Sequence, residues 1–447
     1  MSDTETNDVA ARHAPTSSPP LRILLSSYVC IVGHGSEPGM GWGWGLALAE
    51  AGHEVTVVTH AVGQPENDAW LAHHPQRNLT IEYVEDPWAH ELGKVWPRGK
   101  ERWLNSRQWW LRYLAWQHVA LRRATDLHAR RPFDVAHHVS YQNVVTGSPM
   151  WRLGIPFVFG PVGGAETSPR ASIPLFAYER RRERLRTAVV SRTRNPFARA
   201  AVRNAAVVLT PNEETASFMS AIGARRIEMM ASTGVDPARI QWAAAERIVG
   251  RDRSEARQRV VWIGKFIPKK GLVLAIDAFA RAAQTVDIEL HIMGDGPMAP
   301  LVRERVAQHG LRDRVVLHGW IPWDEAQAVM VASDVMLVTS LRDTFSNQLL
   351  EAAAAGLPLV ALDLHGVASL VPGGTAVKVP FSTPGETAVD LADALITVLS
   401  DSERRAAMTR AALRFSAQET FPRRAERMTR IYRSLLGGDR PRQVPTA

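Results

Sequence analysis

Residues 333–363 read SDVMLVTSLRDTFSNQLLEAAAAGLPLVALD, and their pattern decides the fold. The short apolar run 335–339 has the character of a strand buried on both faces, as in a parallel sheet. Residues 345–355 carry a helical pattern that Gly356 terminates, and 357–362 form a second buried strand. Two carboxylates, Asp343 and Glu351, bracket the start of that helix with seven residues between them. At ~1.5 Å rise per residue, eight helical steps separate them by about 12 Å. That span is close to the distance from a hexose ring to the ribose of a sugar nucleotide. The free N–H groups of the first turn, around Thr344, Phe345, Ser346 and Asn347, suit a diphosphate lying between the two acids. On this segment alone, an ordinary strand–helix–strand unit with surface acids stays open beside the sugar-nucleotide reading.

The residues upstream narrow the choice. Residues 259–264 (RVVWIG) form a buried-strand pattern, followed by Lys265, a short loop, Lys270-Gly271 and an apolar helix through 283. Lysines at the carboxyl end of a parallel strand stand where anionic ligands bind in open α/β sheets. A strand at 289–293 leads into the tight turn Gly294-Asp295-Gly296-Pro297, then a helix at 298–309 and a strand at 315–319. A lone lysine pair is weak evidence, because Lys is usually a solvated charge. The order of strand, lysines, glycine turn and paired carboxylates is far more specific.

In that order the segment 259–380 resembles the donor-nucleotide domain of the retaining glycosyltransferases of family 4, which have the GT-B fold. The matching positions are Gly264, Lys265, Phe266 and Lys270-Gly271, the turn 294–297, and the acid pair Asp343 and Glu351 followed by the run 351–358. Lys265 stands where the family has Arg, which keeps the charge but loses bidentate contact with phosphate. Asp343 stands where the first Glu is usual, one methylene shorter. The resemblance implies an α/β fold of two Rossmann-like domains facing across a cleft, with a C-terminal helix crossing back to the first domain. It implies transfer of a hexose or N-acetylhexosamine from a nucleotide-diphosphate sugar, UDP-linked by family frequency, to a small-molecule or glycan acceptor with retention of configuration. No cofactor and no metal are implied. Lys265 and Lys270 would neutralise the leaving diphosphate, work that Mg²⁺ does elsewhere. Asp343 would hold the donor sugar's hydroxyls and Glu351 the ribose. Gly294 would lie beside the donor. The departing phosphate oxygen would take the acceptor's proton, so no general base is named.

Length and composition agree. A chain of 447 residues suggests two or three domains. Alternating strands and helices in both halves suggest two Rossmann-like units. The expected division is a disordered tail at 1–20, an acceptor-binding domain at 21–240, a donor-binding domain at 241–420, and a crossing helix with frayed tail at 421–447. Lys and Arg number 53 against 45 Asp and Glu, a formal net charge of +8 that favours anionic ligands or surfaces. The single cysteine, Cys30, excludes an internal disulfide and points to the cytoplasm. Residues 1–20 lack the apolar core of a signal peptide, and no run of about 18 apolar residues exists to span a membrane.

The first half opens with a strand at 21–27 and a glycine-rich stretch, GHGSEPGMGWGWG, from Gly33 to Gly45. It reads as a loop whose backbone approaches a ligand, with Gly39 and Gly41 as the contact points, or else as a mobile loop. Its spacing is not the dinucleotide fingerprint GxGxxG, so a dehydrogenase is rejected. A strand in 134–140 (DVAHHVS) ends in His137-His138, and another at 156–160 runs into GPVGGAETSP. The resembling enzymes place a histidine after the second of these strands, near the donor's anomeric centre. Here a glycine loop replaces it, and His138 is the nearest substitute by topology, against the ordinary alternative of a satisfied structural histidine. Gly163, Gly164 and Glu166 are expected on the acceptor side, although Glu166 also suits a helix start.

Residues 88–131 interleave Trp88, Trp96, Trp103, Trp109, Trp110 and Trp116 with Arg and Lys, and 101–131 fit one long helix. An arginine cluster follows at 180–186 (RRRERLR) and extends to Arg203. Such segments either sit at an anionic membrane interface, bind acceptors, or are core tryptophans with solvated arginines. The tryptophans recur on more than one helical face, which disfavours peripheral membrane contact. Nucleic acid is excluded as a partner, because no recognition motif accompanies the charge. Two other functions compete with glycosyl transfer: a sugar-nucleotide epimerase or hydrolase on the same fold, and a non-catalytic nucleotide-binding protein at a membrane surface.

Overall fold

Apolar runs without polar alternation form strands covered on both faces. The computed structural model describes residues 19–85, 109–141, 143–190, 195–249 and 257–437 and arranges those runs as two parallel sheets. The first comprises β1 (Arg22–Ser26), β2 (Glu54–His60), β3 (Leu79–Val84), β4 (Val135–His138), β5 (Phe157–Phe159), β6 (Val207–Thr210) and β7 (Ile227–Met229), in the order β3-β2-β1-β4-β5-β6-β7. The second comprises β8 (Gln258–Ile263), β9 (Ile288–Met293), β10 (Val315–Gly319), β11 (Val335–Val338), β12 (Leu359–Leu362) and β13 (Ala376–Val379), in the order β10-β9-β8-β11-β12-β13. Successive side chains alternate between faces. Leu24, Ala136 and Val208 therefore enter one core of the first sheet, while Ile23, Leu25, Val135 and Val207 enter the other. Val260, Leu290 and Val360 face one side of the second sheet, and Val261, Met293 and Leu359 the other.

The last helix, Phe421–Leu436, crosses back as expected. Its Met428, Ile431 and Tyr432 are buried in the same core as Ile23 and Trp44. The Tyr432 hydroxyl meets His137 Nδ1 at 2.6 Å, and Thr429 meets His53 Nε2 at 2.7 Å. The chain passes between domains at a short bridge pairing Val235 with Thr420.

The glycine-rich stretch is not a loop. A helix runs through Ser36–Glu50, with Gly39, Gly41, Gly43 and Gly45 inside it. Helical glycine costs about 1 kcal/mol relative to Ala, and close packing accounts for it here. A Cβ on Gly41 would fall 2.0 Å from Ser27 Oγ, and one on Gly43 only 2.2 Å from the Phe421 ring. The glycines thus let this helix lie against the turn after β1 and against the crossing helix. Gly41 thus serves packing, while Gly39, where a Cβ would meet the His34 carbonyl at 1.7 Å, lines a cavity with Trp323 and Glu351.

The tryptophan-rich helix is described as Trp109–Arg130. Tyr113 and Trp116 are fully buried and meet Tyr28 edge-on at 4.9 and 5.1 Å. Trp116 is thus core. Trp88, Trp96, Trp103 and the tails 1–18 and 438–447 lie outside the described residues. No helix among the described residues is long and apolar enough to cross a membrane.

Gly43→Ala should lower stability by about 1–3 kcal/mol, the usual cost of overpacking, read as a fall in thermal midpoint. Gly385→Ala is the control, because its added methyl meets nothing within 4 Å. It should leave the midpoint unchanged or slightly raised.

Candidate functional site between the two sheets

Ligands of open parallel sheets gather outside the carboxyl ends of the strands, and both sheets direct those ends at one cleft. A cavity of about 780 Å³ lies there, walled by Glu37, Gly163, Gly164 and Glu166 from the first domain and by Lys269, Lys270, Asp343, Ser346 and Glu351 from the second.

The lysines are placed by backbone. After β8 the chain makes a tight turn, Pro268–Lys270, closed by Gly271 at φ +65°. A Cβ on Gly271 would fall 2.1 Å from the Thr339 carbonyl, so only glycine lets the turn press on the end of β11. Leu341 N–H donates to the Lys269 carbonyl at 2.8 Å and the Thr339 hydroxyl to that of Lys270 at 3.1 Å. Lys270 Nζ then pairs with Asp343 and donates to Ser346 Oγ at 3.2 Å. Burial alone would raise the Asp343 carboxyl, but Lys270, Lys269 and the Ser346 hydroxyl outweigh it and hold it well below the usual range. Asp343 is therefore ionised throughout the working pH range. Burial pulls the Lys269 ammonium below its ordinary value, against the opposing field of Asp343.

Lys265 differs from expectation. It is exposed and does not line the cavity; Lys269, adjacent to Lys270, supplies the second cation there. Gly294, at φ +131°, serves backbone packing, since a Cβ would fall 1.9 Å from the Gly264 carbonyl.

The helix after β11 begins at Asn347, two residues later than its pattern suggests, with Ser346 as N-cap and no side-chain cap bond. Thr344, Phe345, Ser346 and Asn347 all line the cavity. The Phe345 side chain itself is buried among core residues such as Leu349. Glu351 lies further along this helix in the same cavity, where burial raises its carboxyl despite a 3.3 Å hydrogen bond from Trp323 Nε1 and the field of Arg239. The Arg239 guanidinium stacks 3.3 Å above the Trp323 ring. Neither Trp323 nor Arg239 was expected from the sequence. Their only signal is position, Trp323 at the carboxyl end of β10 and Arg239 in the interdomain linker.

On the first-domain side, the buried Glu166 carboxylate accepts from Gly164 N–H at 2.9 Å, Asn212 Nδ2 at 2.8 Å and the Thr215 hydroxyl at 3.1 Å. It shapes the glycine loop as well as lining the cavity. A Cβ on Gly163 would fall 2.3 Å from Thr344, so the two domains touch beside the acid pair. Glu37, unnoticed while its stretch read as a loop, accepts from Tyr141 N–H at 3.0 Å and faces the cavity from the first turn of its helix.

His138 is not in the cleft. It is fully buried, with Nε2 on the Tyr113 hydroxyl and Nδ1 on Ser26 Oγ, both at 2.9 Å. Burial, followed by the field of His137, pushes its pKa down to about 3. Satisfied at both nitrogens, it is a core residue and not a catalytic one. Among the described residues no group of three or more His, Cys, Asp or Glu is placed to hold a metal ion.

Residues 44–239 match the model of Glycosyltransferase Family 4, and residues 257–401 that of Glycosyl transferases group 1. A 2-deoxystreptamine glucosyltransferase of Streptomyces kanamyceticus is 32% identical over 263 residues, 56% of this chain and 67% of that protein. The chain belongs to glycosyltransferase family 4. An N-acetyl-alpha-D-glucosaminyl L-malate synthase of Bacillus anthracis is 29% identical over 182 residues, 41% of this chain and 46% of its own. HepE of Anabaena, solved in complex with UDP and glucose, has 17% identity and a TM-score of 0.55 over 93% of this chain and 100% of its own. The fold of this family-4 glycosyltransferase is GT-B.

Side chains of the first domain grip two loops of the second, those after β11 and β12. Glu183 takes a bidentate pair from Arg342 at 2.8 and 3.1 Å, and Glu214 meets His365 Nδ1 at 2.7 Å. Burial alone would lower His365, but Glu214 outweighs it and the net shift is upward. A His raised on folding stabilises fully below its unfolded pKa of ~6.5 and loses that contribution as pH rises through the folded value. Between about pH 6 and 8, the wild-type thermal midpoint should therefore fall more than that of His365→Asn. Parallel pH profiles for the two proteins would refute this latch.

Proposed function

We propose that this family-4 enzyme transfers a hexose from UDP-hexose to an acceptor hydroxyl with retention of configuration. The observation that carries the reading is the Lys270–Asp343 pair at the mouth of a helix whose second turn brings Glu351 into the same cavity. The donor's diphosphate would take the N-terminal turn of that helix together with Lys270 and Lys269, which neutralise charge as the phosphate leaves. Asp343, already ionised, would accept hydrogen bonds from the sugar hydroxyls, and Glu351 those of the ribose. Proton transfer from the acceptor to the departing phosphate oxygen on the same face would account for retention. UDP and glucose in HepE, and the glucosyl transfer named for the Streptomyces relative, support this donor class. The buried, unpaired Cys30 suits a reducing cytoplasm.

UDP release from UDP-glucose, measured with and without 2-deoxystreptamine, tests the reading, and the anomeric configuration of the product tests retention. Release without an acceptor at an equal rate would indicate a hydrolase instead. Lys270→Ala should lose about 10²-fold or more in turnover, and Lys265→Ala should lose less.

The two carboxylates should separate by ligand. Glu351→Gln should weaken UDP in calorimetry. Asp343→Asn should keep or tighten UDP affinity, because it frees Lys270, yet damage turnover of the sugar nucleotide. Equal UDP affinity in both variants would overturn the layout of the donor along the helix.

A further inference from the structure

The cavity between the sheets has its cations on one wall, beside the carboxylates Asp343 and Glu351. Among the described residues that line it, every cation (Lys269, Lys270, Arg342) comes from the second domain. The charged groups contributed by the first domain are Glu37 and Glu166, both carboxylates. This occurs in a chain whose formal charge is +8, so the acidic wall is not a by-product of composition. The two acids are not equivalent. Glu166 is engaged by Gly164, Asn212 and Thr215 and holds its own loop.

Glu37 receives Tyr141 N–H through Oε2, and no Lys, Arg or His forms an ion pair with it among the described residues. Its position is fixed from both ends. Its own helix presents it in the first turn, while Tyr141 is held at φ +54° with its ring edge-on to Tyr28 at 5.2 Å. Burial raises the Glu37 carboxyl, and the Tyr141 hydrogen bond offsets this only in part. A cation beside it would relieve that cost.

We infer that Glu37 is an acceptor-binding residue and that the acceptor is a polyol carrying a basic amine near the attacked hydroxyl, with anionic acceptors refused. This rests on the donor layout proposed above, which assigns the cationic wall to the diphosphate and leaves the acidic wall for the acceptor. An ammonium donating to Glu37 would make a charge-assisted hydrogen bond in a partly desolvated site, where it is stronger than in water. A carboxylate placed there would meet Glu37 with no compensating cation on that wall.

The test is calorimetry on the full chain. UDP is titrated first into wild type and Glu37→Gln, and the two affinities should be equal. Failure of wild type to bind UDP would sink the donor reading, independently of Glu37. With UDP saturating, 2-deoxystreptamine serves as the amine probe, myo-inositol as the neutral polyol and L-malate as the anion. Wild type should bind the amine probe in preference to the other two. Glu37→Gln, which can still accept from Tyr141, should weaken the amine probe at least 10-fold, the scale of one charge-assisted contact, without changing myo-inositol. Three results would overturn the inference while UDP binding stands: no binding of the amine probe, equal binding by Glu37→Gln, or binding of L-malate as tight as the amine.

Discussion

The contact on which the site depends is the pair between Lys270 and Asp343. It ties the turn after β8 to the loop after β11, two neighbouring strands of the second sheet, and so sets where the next helix begins. Ser346 completes it as both N-cap of that helix and partner of the pair. The same loop is gripped from the first domain, where Glu183 holds Arg342 and Asn212 donates to the Thr344 carbonyl at 3.1 Å. One short segment therefore carries the Asp343 charge, the helix start and the domain contact together.

The second constraint is steric. The crossing helix belongs to the last described segment of the chain, yet its Phe421 ring rests where Gly43 has no side chain. Tyr432 of that helix meets His137 at the end of β4. The first domain is thus completed by residues that follow the second.

The parts legible in the sequence were those written in local periodicity. The buried runs became strands, the acid pair and Lys270 reached one cavity, and the last helix crossed back. What failed depended on contacts distant in sequence. Glycines at 39, 41, 43 and 45 look like a loop until Ser27 and Phe421 are seen to occupy the space beside them. That misreading concealed Glu37. His138 is held by Tyr113 and Ser26, and His137 on the other face by Tyr432 and Gly160, so neither strand-end histidine reaches the cleft, and these partners are distant in sequence. Lys265 and Lys269 are equally basic in the sequence, and only the turn closed by Gly271 shows which one reaches the cavity. Trp323 and Arg239 stack although 84 positions separate them, and they carry no joint pattern in the chain.

Energetics distinguish the Lys270–Asp343 pair from ordinary ion pairs such as Arg131–Glu54. The latter has side-chain exposures of 65% and 43%, a setting in which an ion pair contributes ~0–1 kcal/mol. At 13% and 23%, Lys270 and Asp343 have surrendered most of their hydration. Replacing such a pair by well-packed apolar residues of similar volume is often neutral or stabilising, whereas removing one partner alone is strongly destabilising. Fold stability therefore does not account for the pair. In the donor layout proposed above, a ligand that carries both phosphate and hydroxyl groups would divide the pair, anion to Lys270 and hydroxyl to Asp343. Glu37, from the first domain, would then be left facing the second substrate of that proposal across the same cavity.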